Sequence, residues 1–268
     1  MLKFISFGSG SSGNCYCLLT ENEGIFIDMG IGPRSLKKYC REYGVSLSSV
    51  RHILITHDHA DHIKSVGSIS NEFNIPVYAT AEVHEGIRRN YCVAKKIPEQ
   101  MVREIKKSTT FSIGEFNVTP FGVPHDSNDN VGYRIECRGV VFCVITDAGS
   151  ITDEMCRYIS DSEYLVIEAN HDEEMLNVGP YPSHLKKRIL SSKGHLSNVN
   201  CGNVLAKNMT EKLRHVWLCH LSEENNHPEL ARKTVETVLC SHGVVIGKDM
   251  ELEVLRRKLP SGPFELIK

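Results

Sequence analysis

Short apolar runs separated by glycine-rich or polar turns fill the first third of the chain. On that pattern Leu2–Gly8, Cys15–Thr20 and Gly24–Asp28 read as strands. Pro33 then opens a helix, Arg34–Tyr43, which Gly44 stops. A buried-type strand is expected at His52–Thr56, followed by a helical stretch to Phe73 and a short strand at Pro76–Thr80. From Thr109 to Thr146 the pattern is β again. Ile113-Gly114-Glu115 has the chemistry of a hairpin turn, and Tyr133–Cys137 pairs with Val140–Thr146 through Arg138-Gly139. Strands at Tyr164–Glu168 and Val216–Leu221 then alternate with helices at Pro182–Ser191, Asn198–Asn208 and Pro228–Cys240. Each half runs strands first and helices later, which predicts two packed sheets with helices outside. Pattern alone gives α/β or α+β.

Composition changes this picture little. At 268 residues, with 41% hydrophobic and 24% charged residues, the chain can bury a sizeable core as an ordinary globular protein. No long linker or repeat interrupts it, so residues 1–268 are expected to form a single domain. No apolar run approaches bilayer length, and MLKFISFGSG lacks the pattern of a secretory signal. A cytoplasmic protein without membrane contact is the expectation. The ten cysteines include no CxxC pair. Cys15, Cys17, Cys137, Cys143 and Cys219 fall in apolar runs, where reduced, buried thiols are expected. A net charge of −2 excludes a global basic field. The clusters Arg88-Arg89, Lys95-Lys96, Lys186-Lys187-Arg188 and Arg256-Arg257-Lys258 read first as solvated surface.

The chemistry lies in Thr56-His57-Asp58-His59-Ala60-Asp61-His62, which follows a strand and precedes a helix. A loop at a strand's carboxyl end can aim several side chains at one point. Imidazoles and carboxylates together form a mixed N/O ligand set suited to Zn, Fe or Mn. Burying so many of them without a cation is costly. His125, Asp147 and His220 each follow a β-like run further along the chain.

His57-Asp58-His59-Ala60-Asp61-His62 matches the HxHxDH motif, so the chain resembles the metallo-β-lactamase superfamily. The resemblance implies a four-layer αβ/βα metallo-β-lactamase sandwich with two divalent metal ions. His57, His59 and His125 would hold one ion; Asp61, His62 and His220 the second; Asp147 would bridge them. Asp61 would thus sit at the reaction centre. Ser9–Asn14, Ile167–Asp172, Tyr181-Pro182, Gly194–Asn198 and Leu221–Asn226 further resemble the YycJ/WalJ exonuclease group, which implies a nucleic-acid substrate, DNA first, and a 5′-to-3′ double-stranded DNA exonuclease. Gly194-His195 is also similar to the motif of tRNA 3′-processing ribonucleases, where such a histidine assists phosphate cleavage. No long tRNA-clamping arm is visible.

Five secondary positions follow. Ser12 and Asn14, in the glycine-serine loop, are candidate phosphate contacts. His195 is a candidate catalytic donor to an oxygen gaining charge. Glu168 is expected to orient a metal ligand, and Asp58 to stay outside the ligand set and steady a neighbouring imidazole. The mechanism expected is attack on phosphorus by a hydroxide shared between two ions about 3.5–4 Å apart. The alternatives are a small-molecule hydrolase (cyclic phosphodiester, thioester or lactone) on the same fold and a non-catalytic metal-binding partner. Native metal, DNA against RNA, polarity and oligomeric state are not fixed by these residues.

Overall fold

The computed structural model describes residues 1–268 and contains two seven-stranded mixed sheets. The first holds β1 (Leu2–Gly8), β2 (Cys15–Leu19), β3 (Gly24–Ile27), β4 (Val50–Leu54), β5 (Val77–Ala79) and β6 (Val102–Glu104) in chain order. The second holds β7 (Phe111–Ile113), β8 (Phe116–Gly122), β9 (Val131–Cys137), β10 (Val140–Ile145), β11 (Tyr164–Glu168), β12 (His215–Cys219) and β13 (Glu251–Val254). The last strand, β14 (Ser261–Leu266), returns to pair antiparallel with β1. Both sheets share one plan: antiparallel pairs at one side give way to parallel ones, from β3 to β6 in the first and from β10 to β13 in the second.

Nine helices accompany the sheets: α1 (Pro33–Glu42), α2 (Ala60–Ile63), α3 (Val66–Phe73), α4 (Ala81–Arg89), α5 (Asp153–Asp161), α6 (Glu173–Val178), α7 (Ser183–Ile189), α8 (Asn198–Asn208) and α9 (Pro228–Ser241). Strand residues alternate between faces, and both faces are buried, so the strands read as continuous apolar runs. Phe4, Tyr16, Phe142 and Trp217 point into a central core between the sheets. Ile5 and Cys17 face α1 and α3 in one outer core, while Cys143 and Leu218 face α5, α8 and α9 in the other. That is the four-layer αβ/βα sandwich. No helix is long and apolar enough to cross a membrane. All ten cysteines are free thiols, seven of them buried.

Several expectations shift. The helical stretch to Phe73 is broken between α2 and α3, because Ser65 turns its amide to the Met29 carbonyl (3.0 Å) and its hydroxyl to Ile31. Helices α4, α5 and α6 were not expected; each is short, and Thr80, Thr152 and Asp172 cap them. Strand β14 contains Gly262 and Pro263, which disguise it, and such residues are tolerated because it lies at a sheet edge. The Arg138-Gly139 turn has φ of 53° and 78°, the twist a two-residue hairpin demands.

Trp217 anchors the central core, with Phe4 4.8 Å and Phe264 5.0 Å away between ring centroids. Trp217→Ala is expected to destabilise the fold by about 3–5 kcal/mol, read as a lowered midpoint in urea unfolding. An unchanged midpoint would contradict this packing.

Candidate metal centre

The carboxyl ends of β3, β4, β8, β10, β11 and β12 open on one edge of the sandwich, and each supplies part of a single cluster. Asp28 follows β3, His57–His62 follow β4, His125 follows β8, Asp147 follows β10, Glu168 ends β11, and His220 follows β12. Asp28, Asp147 and His220 adopt φ of 62°, 54° and 52°. A left-handed backbone at a residue with a side chain is strained, and the surrounding packing must enforce it.

Four imidazoles are pinned through Nδ1. His62 donates to Asp28 Oδ2 (2.7 Å), His220 to Glu168 Oε1 (3.0 Å), and His125 to the Gly194 carbonyl (3.0 Å). His57 donates to the Thr56 hydroxyl (2.9 Å), which donates onward to Asp28 Oδ2 (2.9 Å). Each ring thus turns Nε2 inward, the arrangement expected of metal-binding histidines with outer partners. His57 Nε2 is buried and has no hydrogen-bond partner. His59 turns the other way, with Nδ1 3.2 Å from His125 Nε2. A cation about 2.0–2.1 Å from each nitrogen, at ordinary coordination angles, would set them roughly 2.9–3.4 Å apart. The donor set fits a metal ion.

Donor atoms of His57, His59 and His125 lie within 4.8 Å of one another, as do those of Asp61, His62 and His220. Asp147 stands between the groups: Oδ1 is 3.7 Å from His125 Nε2, and Oδ2 is 3.3 Å from His62 Nε2. His59, Asp61 and His195 keep 31%, 22% and 16% of their side chains exposed and so mark the open side. The other members are buried.

Electrostatics point to positive charge in the pocket. Asp28, Asp61, Asp147 and Glu168 converge there. For His62, burial opposes protonation, but Asp28, Asp147 and Asp61 outweigh it and push the ring up to about 10. A proton and a metal cation compete for that same attraction. Burial, together with the neighbouring imidazoles, holds His57 well below its ordinary value, so this ring stays neutral.

Glu168 carries a full set of partners. Oε1 accepts from His195 Nδ1 (2.8 Å) and His220 Nδ1, while Oε2 accepts from the amides of Ala148 (2.8 Å) and Leu196 (3.1 Å). It orients two rings and has no lone pair to spare. His195 is raised above its ordinary value because Glu168 outweighs the opposing effect of burial. Asn14 is buried: its side chain accepts from the Gly10 amide (2.8 Å) and reaches His62 Nε2 (2.9 Å). Ser12 is exposed, and its carbonyl accepts from Lys64 Nζ (2.6 Å). Asp58 stays outside the donor groups but steadies no imidazole. It lies between two inward-facing histidines and so points away from both, holding Asn128 rather than an imidazole. His52, His84, His171, His184, His215 and His242 stay outside the donor groups.

Asp28 is the residue that sequence reasoning missed. It holds His62 directly, His57 through Thr56, and the Thr56 amide (2.8 Å). A lone aspartate ending a strand is a common turn residue, and its partners lie 28 and 34 positions away. Gly30 also matters, since a Cβ there would lie 1.5 Å from the Asp61 carbonyl oxygen.

A family profile described as "Beta-lactamase superfamily domain" matches residues 25–220, a span that runs from β3 to His220. The chain belongs to the beta-lactamase superfamily. Within this superfamily it groups with the YycJ and WalJ proteins. It is 32% identical to Exodeoxyribonuclease YycJ of Bacillus anthracis over 260 residues, covering 97% of each chain. It is 32% identical to Exodeoxyribonuclease WalJ of Streptococcus pneumoniae over 251 residues, covering 93% of each. The metallo-beta-lactamase fold protein YhfI from Bacillus subtilis superposes with a TM-score of 0.72 over 97% of this chain and 98% of that one, at 16% identity, and so shares the fold. The chain is a metal-dependent hydrolase.

Asp28→Asn is expected to weaken metal binding by about 10–100-fold while leaving the fold intact, measured by titration against a chelator of known affinity. Unchanged affinity would show that His57 and His62 hold their orientation without it.

Proposed function

We propose that this chain is a dinuclear metal-dependent nuclease that degrades double-stranded DNA from the 5′ end. The observation that carries the reading is the pair of three-residue donor groups on either side of Asp147, in a chain 32% identical along 97% of its length to a protein named an exodeoxyribonuclease. His57, His59 and His125 would hold one divalent ion, Asp61, His62 and His220 the other, and Asp147 would bridge them. Bound there, two such ions supply a shared water of lowered pKa and neutralise the non-bridging phosphate oxygens. Zn, Mn and Fe all suit this N/O set.

The protein groups divide the remaining work. Glu168 fixes His195 with Nδ1 engaged, which leaves Nε2 for the substrate. His195 stabilises or protonates the departing sugar oxygen, in line with the raised proton affinity of its ring. Ser12 contacts the backbone from the glycine-serine loop, beside a cavity of about 180 Å³ lined by Lys64, Arg257 and Lys258. Asn14, being buried, positions His62 rather than meeting substrate.

The net charge of −2 is the feature that favours the second reading, a hydrolase of a cyclic phosphodiester, thioester or lactone. Competition between labelled duplex DNA and bis(p-nitrophenyl) phosphate separates the two: a nuclease prefers the polymer strongly. With Mn or Zn compared on end-labelled single- and double-stranded DNA and RNA, duplex DNA is expected to shorten from its 5′ end. Asp147→Ala is expected to lose bound metal and more than about 100-fold of this activity, beyond the loss typical of an outer-sphere change. Full activity with two bound ions in that variant would refute the bridging role.

A further inference from the structure

An ion pair stands at the mouth of the pocket, outside the donor groups. Arg188, in the last turn of α7, clasps both oxygens of Asp126 with Nε and Nη2, the latter 3.0 Å from Oδ1. Asp126 follows His125 in the chain; its Oδ1 lies 3.4 Å from His125 Nε2 and 3.9 Å from His59 Nε2. The guanidinium is therefore one carboxylate away from the first donor group. Its side chain is 51% exposed, open to a ligand arriving from solvent. An ion pair this exposed contributes little to stability, so holding the fold does not account for its position.

The backbone that carries Arg188 is fixed against the centre. Gly194 packs so tightly under the end of α7 that a Cβ there would lie 2.0 Å from the Ile189 carbonyl oxygen and 2.4 Å from that of Arg188. The His195 amide donates to the same Ile189 carbonyl (2.9 Å), and the Gly194 carbonyl pins His125. Arg188 thus rides on the short stretch of chain that also carries His195. Within its basic run, Lys186 is turned to the Asn177 carbonyl (2.7 Å) and Lys187 is exposed, while Arg188 reaches towards the pocket.

Charge gives this position a purpose. The pocket gathers four carboxylates in a chain of net charge −2, so a polyanion needs local cations at the rim. A guanidinium matches a phosphate with two parallel hydrogen bonds, as it now matches Asp126. We propose that Arg188 binds a backbone phosphate next to the scissile one, exchanging the Asp126 carboxylate for phosphate oxygens when nucleic acid enters. Asp126 holds the guanidinium ready in the free protein. This assignment rests on the nuclease reading above and names the residue that gives it a grip on the polymer.

The test compares wild type, Arg188→Ala, Arg188→Lys and Asp126→Asn on end-labelled duplex DNA and on bis(p-nitrophenyl) phosphate, with bound metal measured in each. Arg188→Ala is expected to raise KM for DNA by about ten-fold or more and to lower the salt dependence of kcat/KM by about one unit of log–log slope. Its turnover of the small ester and its metal content stay within about two-fold of wild type, since the small ester reaches no neighbouring phosphate site. Arg188→Lys falls between, because charge is kept and the fork is lost. Asp126→Asn keeps the guanidinium and holds KM for DNA within about three-fold. An unchanged KM in Arg188→Ala, an equal loss on both substrates with metal depleted, or Asp126→Asn reproducing Arg188→Ala would overturn the assignment. Wild type that cleaves DNA beside an unaffected Arg188→Ala overturns this inference alone. Wild type that hydrolyses the ester and leaves DNA intact overturns the nuclease reading and this inference with it.

Discussion

Negative charge buried at the carboxyl ends of the strands is the constraint around which this molecule is organised. Asp28, Asp147 and Glu168 are each 1% exposed or less, and Asp61 adds a fourth carboxylate at the rim. Left alone, such groups would repel one another and lose their hydration. Two kinds of partner answer them. N–H and O–H donors from Thr56, Thr146, His62, His195 and His220 bond the oxygens from behind. Inward, the lone pairs of the imidazoles and the remaining oxygens face a space that a cation satisfies and a neutral group does not.

The same constraint ties the two sheets together. Each three-residue donor group takes two members from the segment that follows β4 in the first sheet and one from the second sheet, His125 in one case and His220 in the other. Asp147, also from the second sheet, stands between them. The central core of Phe4, Tyr16, Phe142 and Trp217 clamps the sheets face to face and sets that geometry. Packing and chemistry therefore meet at one edge: the core fixes the angle between the sheets, and the centre is made where their strand ends converge.

Much of this was legible in the sequence, for reasons that differ by residue. His57–His62 declares itself because imidazoles and carboxylates crowded into six positions leave little room for a bland account. His125, Asp147 and His220 are individually ordinary and gained meaning only from their order relative to that loop. The strands β1 to β4 and β8 to β12 were visible as apolar runs because both faces of each sheet are covered. Asp28 stayed hidden because its role depends on contacts 28 and 34 residues away, which no local pattern carries. The imidazole contact expected of Asp58 failed for a related reason: neighbours in sequence along an extended loop point in opposite directions, so a position between two inward-facing histidines turned it to Asn128. Strand β14, with Gly262 and Pro263, and the short helices α4 to α6 carry too few periodic apolar positions to register.

The proposed centre holds two cations that share one carboxylate between the sheets. Anomalous diffraction from crystals grown with Mn or Zn measures this most directly. Two peaks are expected, one among His57, His59 and His125 and one among Asp61, His62 and His220, roughly 3.5–4 Å apart with Asp147 reaching both. A single peak, or peaks lying away from these residues, would contradict it.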